Sequence, residues 1–312
     1  MEYTELGSTG METSVVSLGA GGPSRLGLSK EKTEGTARQI VETALDLGIN
    51  LVDTAEAYGT ERVVGRALAE EDREDVVIST KFSLYDGDER RPPAELAGSL
   101  DASLERLDTD YVDVYHLHGV TIEDYEYATE RLRPRLEELK EAGKIGAVGI
   151  TESVSADPGH EMLSRAVDDG GWDVVMVGYN LLNHSARERV LEPAAEQGIG
   201  TIGMVPVRRA LSDPEALEET VEELIATGEL DHDVDPAAPF EFLIHEGGAS
   251  SLIDAAYRFA AHEPTVDTVL TGTSSREHLA ANVESVLEGP LPAADVGRLR
   301  ERFGDVDSVI GN

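Results

Sequence analysis

The chain has 312 residues, of which 62 are acidic and 26 basic, so its formal net charge is −36. This length suits one large domain, and such an acidic surface argues against nucleic acid or an anionic membrane as a partner. The chain has no cysteine, which excludes disulfides and thiolate metal sites.

In chain order, residues 1–14 come first. They place Gly-Ser-Thr-Gly between short extended segments and predict a hairpin that closes the bottom of a barrel. Apolar runs then alternate with amphipathic stretches. The predicted strands are Val15–Leu18, Ile49–Asp53, Val76–Lys81, Tyr111–His116, Ile145–Ile150, Trp172–Val177, Gly200–Met204 and Thr268–Leu270. The predicted helices are Thr33–Leu47, Glu61–Glu70, Pro93–Arg106, Tyr125–Ala142, Gly159–Asp168, Ser185–Gln197, Pro214–Ala226 and Arg276–Leu287.

Two pieces near the C-terminus fall outside this alternation. Residues 228–261 begin as a polar loop and end in a predicted helix, "SLIDAAYRFAAH", and residues 292–302 predict a last acidic helix. Eight strands alternating with eight helices predict a (β/α)8 TIM barrel in which residues 1–312 form a single domain. The alternative is a doubly wound open sheet, but "LGAGGPSRLG" is a weak match to its Gly-rich turn because no helix follows at once.

Four ionisable side chains fall at the C-terminal ends of neighbouring predicted strands, where barrel active sites lie. Asp53 ends the second strand and Lys81 the third, while Tyr58 lies in the loop after the second strand and His118 just past the fourth. Each alone has a structural interpretation, as a turn cap, a rim lysine, a loop packing residue or a core histidine. Their convergence on one rim favours a chemical site.

The segments "VDTAEAYG", "STK", "DYVDVYHLHG" and "GKIGAVGIT" occur in this order at compatible spacing. They resemble successive strand signatures of the aldo-keto reductases, and the resemblance extends from end to end. It implies a catalytic tetrad of Asp53, Tyr58, Lys81 and His118. It also implies hydride transfer between a nicotinamide cofactor and the carbonyl or alcohol group of an aldehyde, ketone or sugar.

The residue types suit those roles. A carbonyl that accepts a hydride needs a proton, and a tyrosine that ionises near pH 10 is a poor proton shuttle at neutral pH. Lys81 is expected to lower the pKa of Tyr58, and Asp53 to orient Lys81. His118 can hydrogen-bond the carbonyl oxygen and fix the substrate.

The chain departs from the family where the nicotinamide is expected. The family's Ser-Asn pair corresponds to Thr151 and Glu152, and an ionised Glu152 could accept the amide N–H but not donate. The family's glutamine on the sixth strand corresponds to Met176. Its stacking aromatic residue on the seventh corresponds to Met204, whose thioether can pack on a ring.

The loops after the seventh and eighth strands are expected to hold the cofactor phosphates, because barrels commonly bind phosphate there against a helix N-terminus. The further candidate residues are Arg208, Arg209, Gly272, Thr273, Ser274, Arg276 and Asn282. Asn282 matches a position that contacts adenine. Ser274 replaces the arginine that many members use on the NADP 2′-phosphate, so Arg276 is its nearest substitute. We expect a modest preference for NADPH, with NADH possible.

Some of these residues have equally good structural interpretations. Ser274 and Glu277 have the spacing of a helix capping box, and Arg208 and Arg209 could form surface ion pairs. The glycines of "GAGGPSRLG" after the first strand could admit the cofactor or simply turn the chain.

Two other functions stay open. His116 and His118 lie on one side of a strand and could bind zinc in a metal-dependent hydrolase, although further ligands are missing from the strand ends. The second open function is that of a regulatory subunit that binds nicotinamide nucleotide without turnover. In the favoured interpretation no metal is expected. The expected partner is a small carbonyl or alcohol substrate, and the protein is expected to be a monomer or small homo-oligomer.

The acidic residues are distributed along the chain, as in "ALEETVEELIATG", instead of forming a tail. Distributed acidity is typical of proteins that work in molar salt, where ions screen the self-repulsion. We therefore expect a halophilic protein, the alternative being an ordinary acidic one. No run approaches the roughly eighteen apolar residues of a membrane span, and no secretory signal is visible, so we expect a cytoplasmic location.

Overall fold

The structure is a computed structural model that describes residues 1–30 and 32–311. The strands are β1 (Tyr3–Glu5), β2 (Glu12–Ser14), β3 (Val16–Gly19), β4 (Leu51–Asp53), β5 (Val77–Ser83), β6 (Tyr85–Asp86), β7 (Glu89–Arg90), β8 (Val112–Val120), β9 (Ile145–Glu152), β10 (Val174–Gly178), β11 (Gly200–Met204) and β12 (Thr268–Thr271). The helices are α1 (Glu34–Asp46), α2 (Glu61–Leu68), α3 (Leu96–Leu107), α4 (Ile122–Tyr127), α5 (Arg133–Glu141), α6 (Glu161–Asp169), α7 (Glu192–Glu196), α8 (Arg209–Ser212), α9 (Pro214–Thr227), α10 (Leu252–Ala261), α11 (Arg276–Leu287) and α12 (Ala293–Phe303).

Eight parallel strands close into a barrel in the order β3-β4-β5-β8-β9-β10-β11-β12 and return to β3. The predicted (β/α)8 fold is therefore confirmed. The third and fourth barrel strands run further than predicted, since β5 continues to Ser83 and β8 to Val120. Lys81 and His118 consequently lie within strands and not at or beyond their ends. This fixes the direction of both side chains through the strand alternation.

The lower part of the barrel interior is an apolar layer. It comprises Leu6, Leu51, Val77, Val114, Ala147, Val174, Met176 and Ile202. Because side chains two residues apart on a strand share a face, the next inward positions are Asp53 after Leu51 and His116 after Val114. The same alternation that builds the apolar floor therefore turns polar side chains into the mouth above it.

The N-terminal hairpin of β1 and β2 closes the bottom of the barrel, as predicted. Leu6, at its turn, is fully buried in the apolar layer. The backbone N–H of Gly7 donates to the carboxylate of Asp267 at 3.0 Å, and that of Ser8 donates to the carbonyl of Gly198 at 2.7 Å. The hairpin thus seals the end opposite the strand C-termini.

Two predicted helices are interrupted by a wider turn. The region predicted as Tyr125–Ala142 divides into α4, a π-helical segment Ala128–Leu132 and α5, and a second π-helical segment, Arg187–Leu191, precedes α7. A proline stands just after each segment, Pro134 and Pro193. Proline lacks the N–H for the helical ladder and clashes with the preceding turn, which accounts for the widening.

The small β6–β7 hairpin and the short α8 were not predicted, whereas the helices near the C-terminus were, as α10 and α12. Within residues 1–30 and 32–311, no helix has the length and apolar character needed to cross a bilayer.

Candidate active site

Lys81 and Asp53 form a buried ion pair at the C-terminal mouth of the barrel. The Lys81 ammonium donates to both carboxylate oxygens of Asp53 at 2.6 Å and to the carbonyl of Thr54 at 2.8 Å. The Ser79 hydroxyl donates a further bond to Asp53 at 2.7 Å. Asp53 is therefore an anchor for Lys81 and not a turn cap. Burial alone would lower the pKa of Lys81, but Asp53 and Tyr58 raise it, so the ammonium stays charged.

Tyr58 lies beside this pair on a short 3-10 turn, Glu56–Tyr58. The centre of the Tyr58 ring is 5.0 Å from the Lys81 nitrogen, and the Tyr58 hydroxyl is 3.2 Å from His118 Nε2. The Tyr58 and His118 rings meet edge to face, with centroids 5.4 Å apart. All four predicted catalytic residues are thus brought together, and the two groups that can hydrogen-bond a carbonyl oxygen are adjacent.

The glycine-rich stretch after β3 packs against Tyr58. A Cβ atom at Gly21 would lie 2.4 Å from a carbon of the Tyr58 ring, a distance no side chain tolerates. Only glycine therefore lets the chain pass this close to the phenol. The glycine does more than turn the chain, since it allows the loop after β3 to hold the tyrosine.

Burial raises the pKa of Tyr58, and Lys81 opposes that effect without overcoming it. The expectation that Lys81 lowers the pKa is right about the sign of the lysine's contribution and wrong about the net direction. The reason is desolvation, which favours the neutral phenol and cannot be read from the sequence. In this structure Tyr58 is a protonated phenol at neutral pH and can act as an acid.

His118 and His116 are both neutral imidazoles. Burial, with a smaller contribution from Lys81, lowers the pKa of His118 to about 3 and that of His116 well below its usual value. His116 is fully buried, and neither of its ring nitrogens has a hydrogen-bond partner in the described chain. Its ring lies against Gly149, where a Cβ atom would be 2.2 Å from Nδ1. His116 is a core histidine.

The proposed zinc pair lacks a third ligand. Across residues 1–30 and 32–311, no group of three or more His, Asp or Glu side chains could hold a metal ion. The other member of the pair, His118, already faces the hydroxyl of Tyr58.

The carboxylate of Glu152 is buried against His160, a residue that the sequence did not predict at the site. Its carboxylate oxygens lie 2.9 and 3.0 Å from Nδ1 of His160, and one of them accepts the backbone N–H of Gly178 at 2.8 Å. The side chains of both Glu152 and His160 are 0% exposed. Burial raises the pKa of Glu152, while His160 opposes the rise. The Glu152 carboxylate is thus occupied by His160 and Gly178, and its contact with a nicotinamide amide stays a prediction.

The other nicotinamide candidates are placed differently. The Thr151 hydroxyl oxygen accepts the backbone N–H of Gly119 at 2.7 Å. Met176 is buried in the apolar layer of the barrel interior, whereas Met204 is half-buried and packs against that layer. Met204 is thus the least buried of these candidates.

A C-terminal segment, residues 306–311, lies over the ends of β10 and β11. Asn183 donates to the carbonyl of Val309 at 2.9 Å, and Asn180 donates to that of Ile310 at 3.2 Å. A Cβ atom at Gly178 would lie 3.4 Å from the Ile310 side chain. The sequence offered no signal for this docking, because the contacting residues are more than 120 positions apart.

The loop after β12 leads into α11, as expected of a phosphate-binding loop. Ser275, and not the predicted Ser274, caps the helix by accepting the N–H of His278 at 3.3 Å, while Thr273 accepts the N–H of Ser275 at 3.1 Å. Gly272 and Arg276 are exposed. The carbonyl of Ser274 accepts the ammonium of Lys32 at 2.5 Å, which brings a lysine to the position where an arginine is missing.

Asn282 is occupied within the fold. Its amide nitrogen donates to the hydroxyl of Tyr257 at 3.1 Å and to that of Thr271 at 2.9 Å. The predicted adenine contact is therefore left with the amide oxygen alone. This position contributes mainly to packing α11 against α10 and β12.

The two arginines after β11 differ in their surroundings. Arg208 is half-buried and donates to the hydroxyl of Ser155 at 3.3 Å, and burial lowers its pKa. Arg209 is exposed and lies 3.7 Å from Asp213, a loose surface ion pair of small energetic weight.

One half of the barrel strands, together with the residues that directly follow them, has no acidic residue. Residues 13–30, 174–187, 197–212 and 268–276 contain no Asp or Glu, although one residue in five of the chain is acidic. These segments carry β3, β10, β11 and β12, which are consecutive in the barrel. They also carry Arg25, Lys30, Arg208, Arg209 and Arg276. We call these four segments the acid-free arc. Their first member packs against Tyr58 through Gly21, and the absence of carboxylates from them lowers the local repulsion of anions.

Comparison with known proteins agrees with this geometry. A family model described as the aldo/keto reductase family matches residues 17–302. The chain is 29% identical over 310 residues to the uncharacterized oxidoreductase YqkF of Bacillus subtilis, covering 96% of both chains. It is 27% identical to L-galactose dehydrogenase of Arabidopsis thaliana, covering 99% of this chain and 94% of that one. The holo form of aldo-keto reductase AKR11C1 from Bacillus halodurans matches with a TM-score of 0.74 at 26% identity, covering 99% of this chain and 97% of that one.

Proposed function

Because the chain belongs to the aldo/keto reductase family and is an oxidoreductase by that membership, we propose that it is a single-domain, NAD(P)H-dependent carbonyl reductase. One observation carries the proposal. The buried Lys81–Asp53 ion pair lies against Tyr58, whose hydroxyl faces His118 at the mouth of the barrel. A charged lysine beside a half-buried phenol suits a side chain that must give up and regain a proton.

The side chains divide the chemistry among them. When bound, a nicotinamide cofactor supplies the hydride. Tyr58 is protonated and donates its proton to the carbonyl oxygen, as a general acid. His118 is neutral and fixes that oxygen by a hydrogen bond, and Lys81 stabilises the phenolate that Tyr58 leaves. Asp53 holds the Lys81 ammonium in place through both oxygens.

The residues fit such a cofactor better at its phosphates than at its amide. The helix α11 begins with Arg276, the last residue of the acid-free arc, and Lys32 donates to the carbonyl of Ser274 just before it. These cations and the N–H groups of a helix N-terminus favour an anion. At the nicotinamide end, Met204 is the most accessible of the four candidates, since Thr151, Glu152 and Met176 are buried. We propose NADPH as the preferred cofactor, with NADH also accepted.

A turnover screen tests the proposed function. The protein is assayed in molar KCl with NADPH and NADH against aldehydes, ketones and sugars. Sugars belong in the panel because a relative is an L-galactose dehydrogenase. Binding of both nucleotides is measured in parallel. Nucleotide binding without turnover on any substrate would instead support the regulatory-subunit alternative, and loss of both would reject the proposal.

We expect Arg276→Ala to weaken NADPH binding and to leave NADH binding nearly unchanged. Arg276 is exposed at the start of α11, so its pairing with a 2′-phosphate contributes only about 0.2–1 kcal/mol, a factor of a few in affinity. Titration of both nucleotides at low and molar salt measures the difference, which should shrink as salt rises.

Arg165→Ala is the matched control, because Arg165 is an exposed arginine on α6, paired with Asp169. Arg165→Ala removes one positive charge, as Arg276→Ala does. Equal losses for NADPH and NADH in Arg276→Ala would place Arg276 outside the 2′-phosphate site. Lys32, Arg208 and Arg209 would then be the next residues to test.

We also propose that the protein works in a halophilic cytoplasm, and salt should stabilise it. At a net charge of −36, carboxylate repulsion extends over about 10 Å in 0.1 M salt but only about 3 Å in 1 M salt. The melting temperature is expected to rise from low salt to molar KCl. Sucrose at equal osmolality serves as the control, since it acts by exclusion and not by screening. A melting temperature that stays flat or falls in KCl contradicts the proposal.

A further inference from the structure

The loop after β3 holds Arg25 in a fixed position near Tyr58. Gly21 packs on the Tyr58 ring, and the N–H of Arg25 donates back to the carbonyl of Gly21 at 3.3 Å. The next residue, Leu26, is 1% exposed and anchors the loop in the core. The N–H of Gly27 donates to the carbonyl of Ser24 at 2.7 Å. The turn that carries Arg25 is therefore tied to the wall of the active site.

The backbone of this turn is strained. Arg25 and Leu26 both have positive φ, 43° and 57°, although neither is glycine. Such residues are uncommon, and strained positions of this kind concentrate at functional sites, where the surrounding structure maintains them.

The charge of Arg25 has no counterpart in the described chain. Its side chain is exposed, and no hydrogen bond or ion pair joins it to another residue of 1–30 or 32–311. No acidic residue occurs from 13 to 30. The positive charge is nevertheless close enough to Tyr58 to lower the pKa of its phenol slightly against the dominant effect of burial. An arginine in so acidic a chain thus faces the site unneutralised.

We propose that Arg25 binds an anionic group of the substrate, so that the enzyme prefers carbonyl compounds that carry a carboxylate. The proposal rests on the proposed carbonyl reductase function. A net charge of −36 repels anionic substrates, so their entry requires a local cation, and the acid-free arc provides the approach. The planar guanidinium matches a carboxylate with two parallel hydrogen bonds, which lysine cannot reproduce. The carbonyl then lies at Tyr58 and His118 while the carboxylate reaches Arg25.

The other anion that Arg25 could meet is a phosphate of the cofactor. The substrate is favoured because Arg25 is tied to Tyr58 through Gly21, whereas the expected phosphate groups belong to the loops after β11 and β12. The two sources are separated by measuring nucleotide affinity and substrate preference on the same variants.

The test uses 4-carboxybenzaldehyde and its uncharged methyl ester, methyl 4-formylbenzoate, which differ in one negative charge and one methyl group. In the wild-type protein, kcat/KM is expected to be about tenfold higher for the carboxylate, a ratio typical of one charge-assisted hydrogen-bonded contact. In Arg25→Gln this ratio should fall toward one through a higher KM for the carboxylate. Arg25→Lys should restore part of it. Arg38→Gln, which removes an exposed charge on α1 that is paired with Glu42, should keep the wild-type ratio.

Binding of the two corresponding alcohols is measured by calorimetry, so the comparison does not depend on turnover. Tighter binding of the carboxylate alcohol to the wild type, lost in Arg25→Gln, supports the inference even if the reductase proposal fails. No preference in the wild type overturns it. An equal loss of affinity for both alcohols in Arg25→Gln also overturns the inference. A loss of nucleotide affinity with an unchanged substrate ratio overturns it as well, and assigns Arg25 to the cofactor.

Discussion

Tyr58→Phe is expected to lower carbonyl reduction by about 10²–10⁴-fold, the usual contribution of a positioned general acid. The variant removes only the hydroxyl, so the ring still packs against Gly21 and beneath the Lys81 ammonium. The fold and nucleotide binding should therefore persist. Steady-state turnover with an aldehyde, together with a thermal melt and a nucleotide titration, separates the chemical loss from unfolding.

Tyr85→Phe is the matched control. Tyr85 is an exposed tyrosine whose hydroxyl donates to Asp124 at 2.7 Å, away from Lys81. It should retain turnover. If Tyr58→Phe also reduces aldehydes within a few-fold of the wild type, Tyr58 is not the proton donor and the proposed chemistry is wrong.

Lys81→Met should reduce both turnover and stability. The substitution leaves the Asp53 carboxylate buried with the Ser79 hydroxyl as its remaining side-chain donor. Breaking a buried pair in this way typically costs about 3–5 kcal/mol of unfolding free energy. The double variant Asp53→Asn/Lys81→Met removes the unpaired charge and should recover much of the stability without recovering activity. Thermal melts of the three proteins measure this difference.

The single variant Lys81→Met should also shift the pH dependence of alcohol oxidation. Oxidation requires the phenolate of Tyr58, so its rate rises with pH until the pKa is reached, whereas reduction requires the phenol and falls above it. Lys81 lowers the pKa of Tyr58 against burial, and Asp53 raises it. Removing Lys81 must raise the pKa further and move the oxidation profile to higher pH. Profiles of equal shape and height in Lys81→Met and the wild type would reject the coupling.

The sequence by itself determined the barrel and which four ionisable side chains meet at its mouth. Apolar runs that alternate with amphipathic stretches specify parallel strands joined by helices, and strand ends in such a fold share one rim. Asp53, Tyr58, Lys81 and His118 could therefore be placed together because each is tied to a strand by local position. The spread of the acidic residues along the chain could also be read directly from the sequence.

The tertiary structure decided what burial and distant contacts control. Glu152 was expected to accept an amide N–H of the nicotinamide, but in the structure His160 and Gly178 contact its carboxylate. Asn282 was expected at adenine, but Tyr257 and Thr271 accept its amide protons. These partners lie on other elements, and no local pattern announces them.

The direction in which the pKa of Tyr58 shifts is the clearest example of a property that the tertiary structure decides. The sequence supplied the nearby lysine and hence the sign of its contribution, but the opposing desolvation depends on how completely other segments cover the phenol. The position of Arg25 has the same origin, since its nearness to Tyr58 exists only because Gly21 lets a loop from β3 close onto a turn after β4. Local sequence fixes which groups a strand presents, whereas the packing between elements fixes their solvation, and solvation sets their charge.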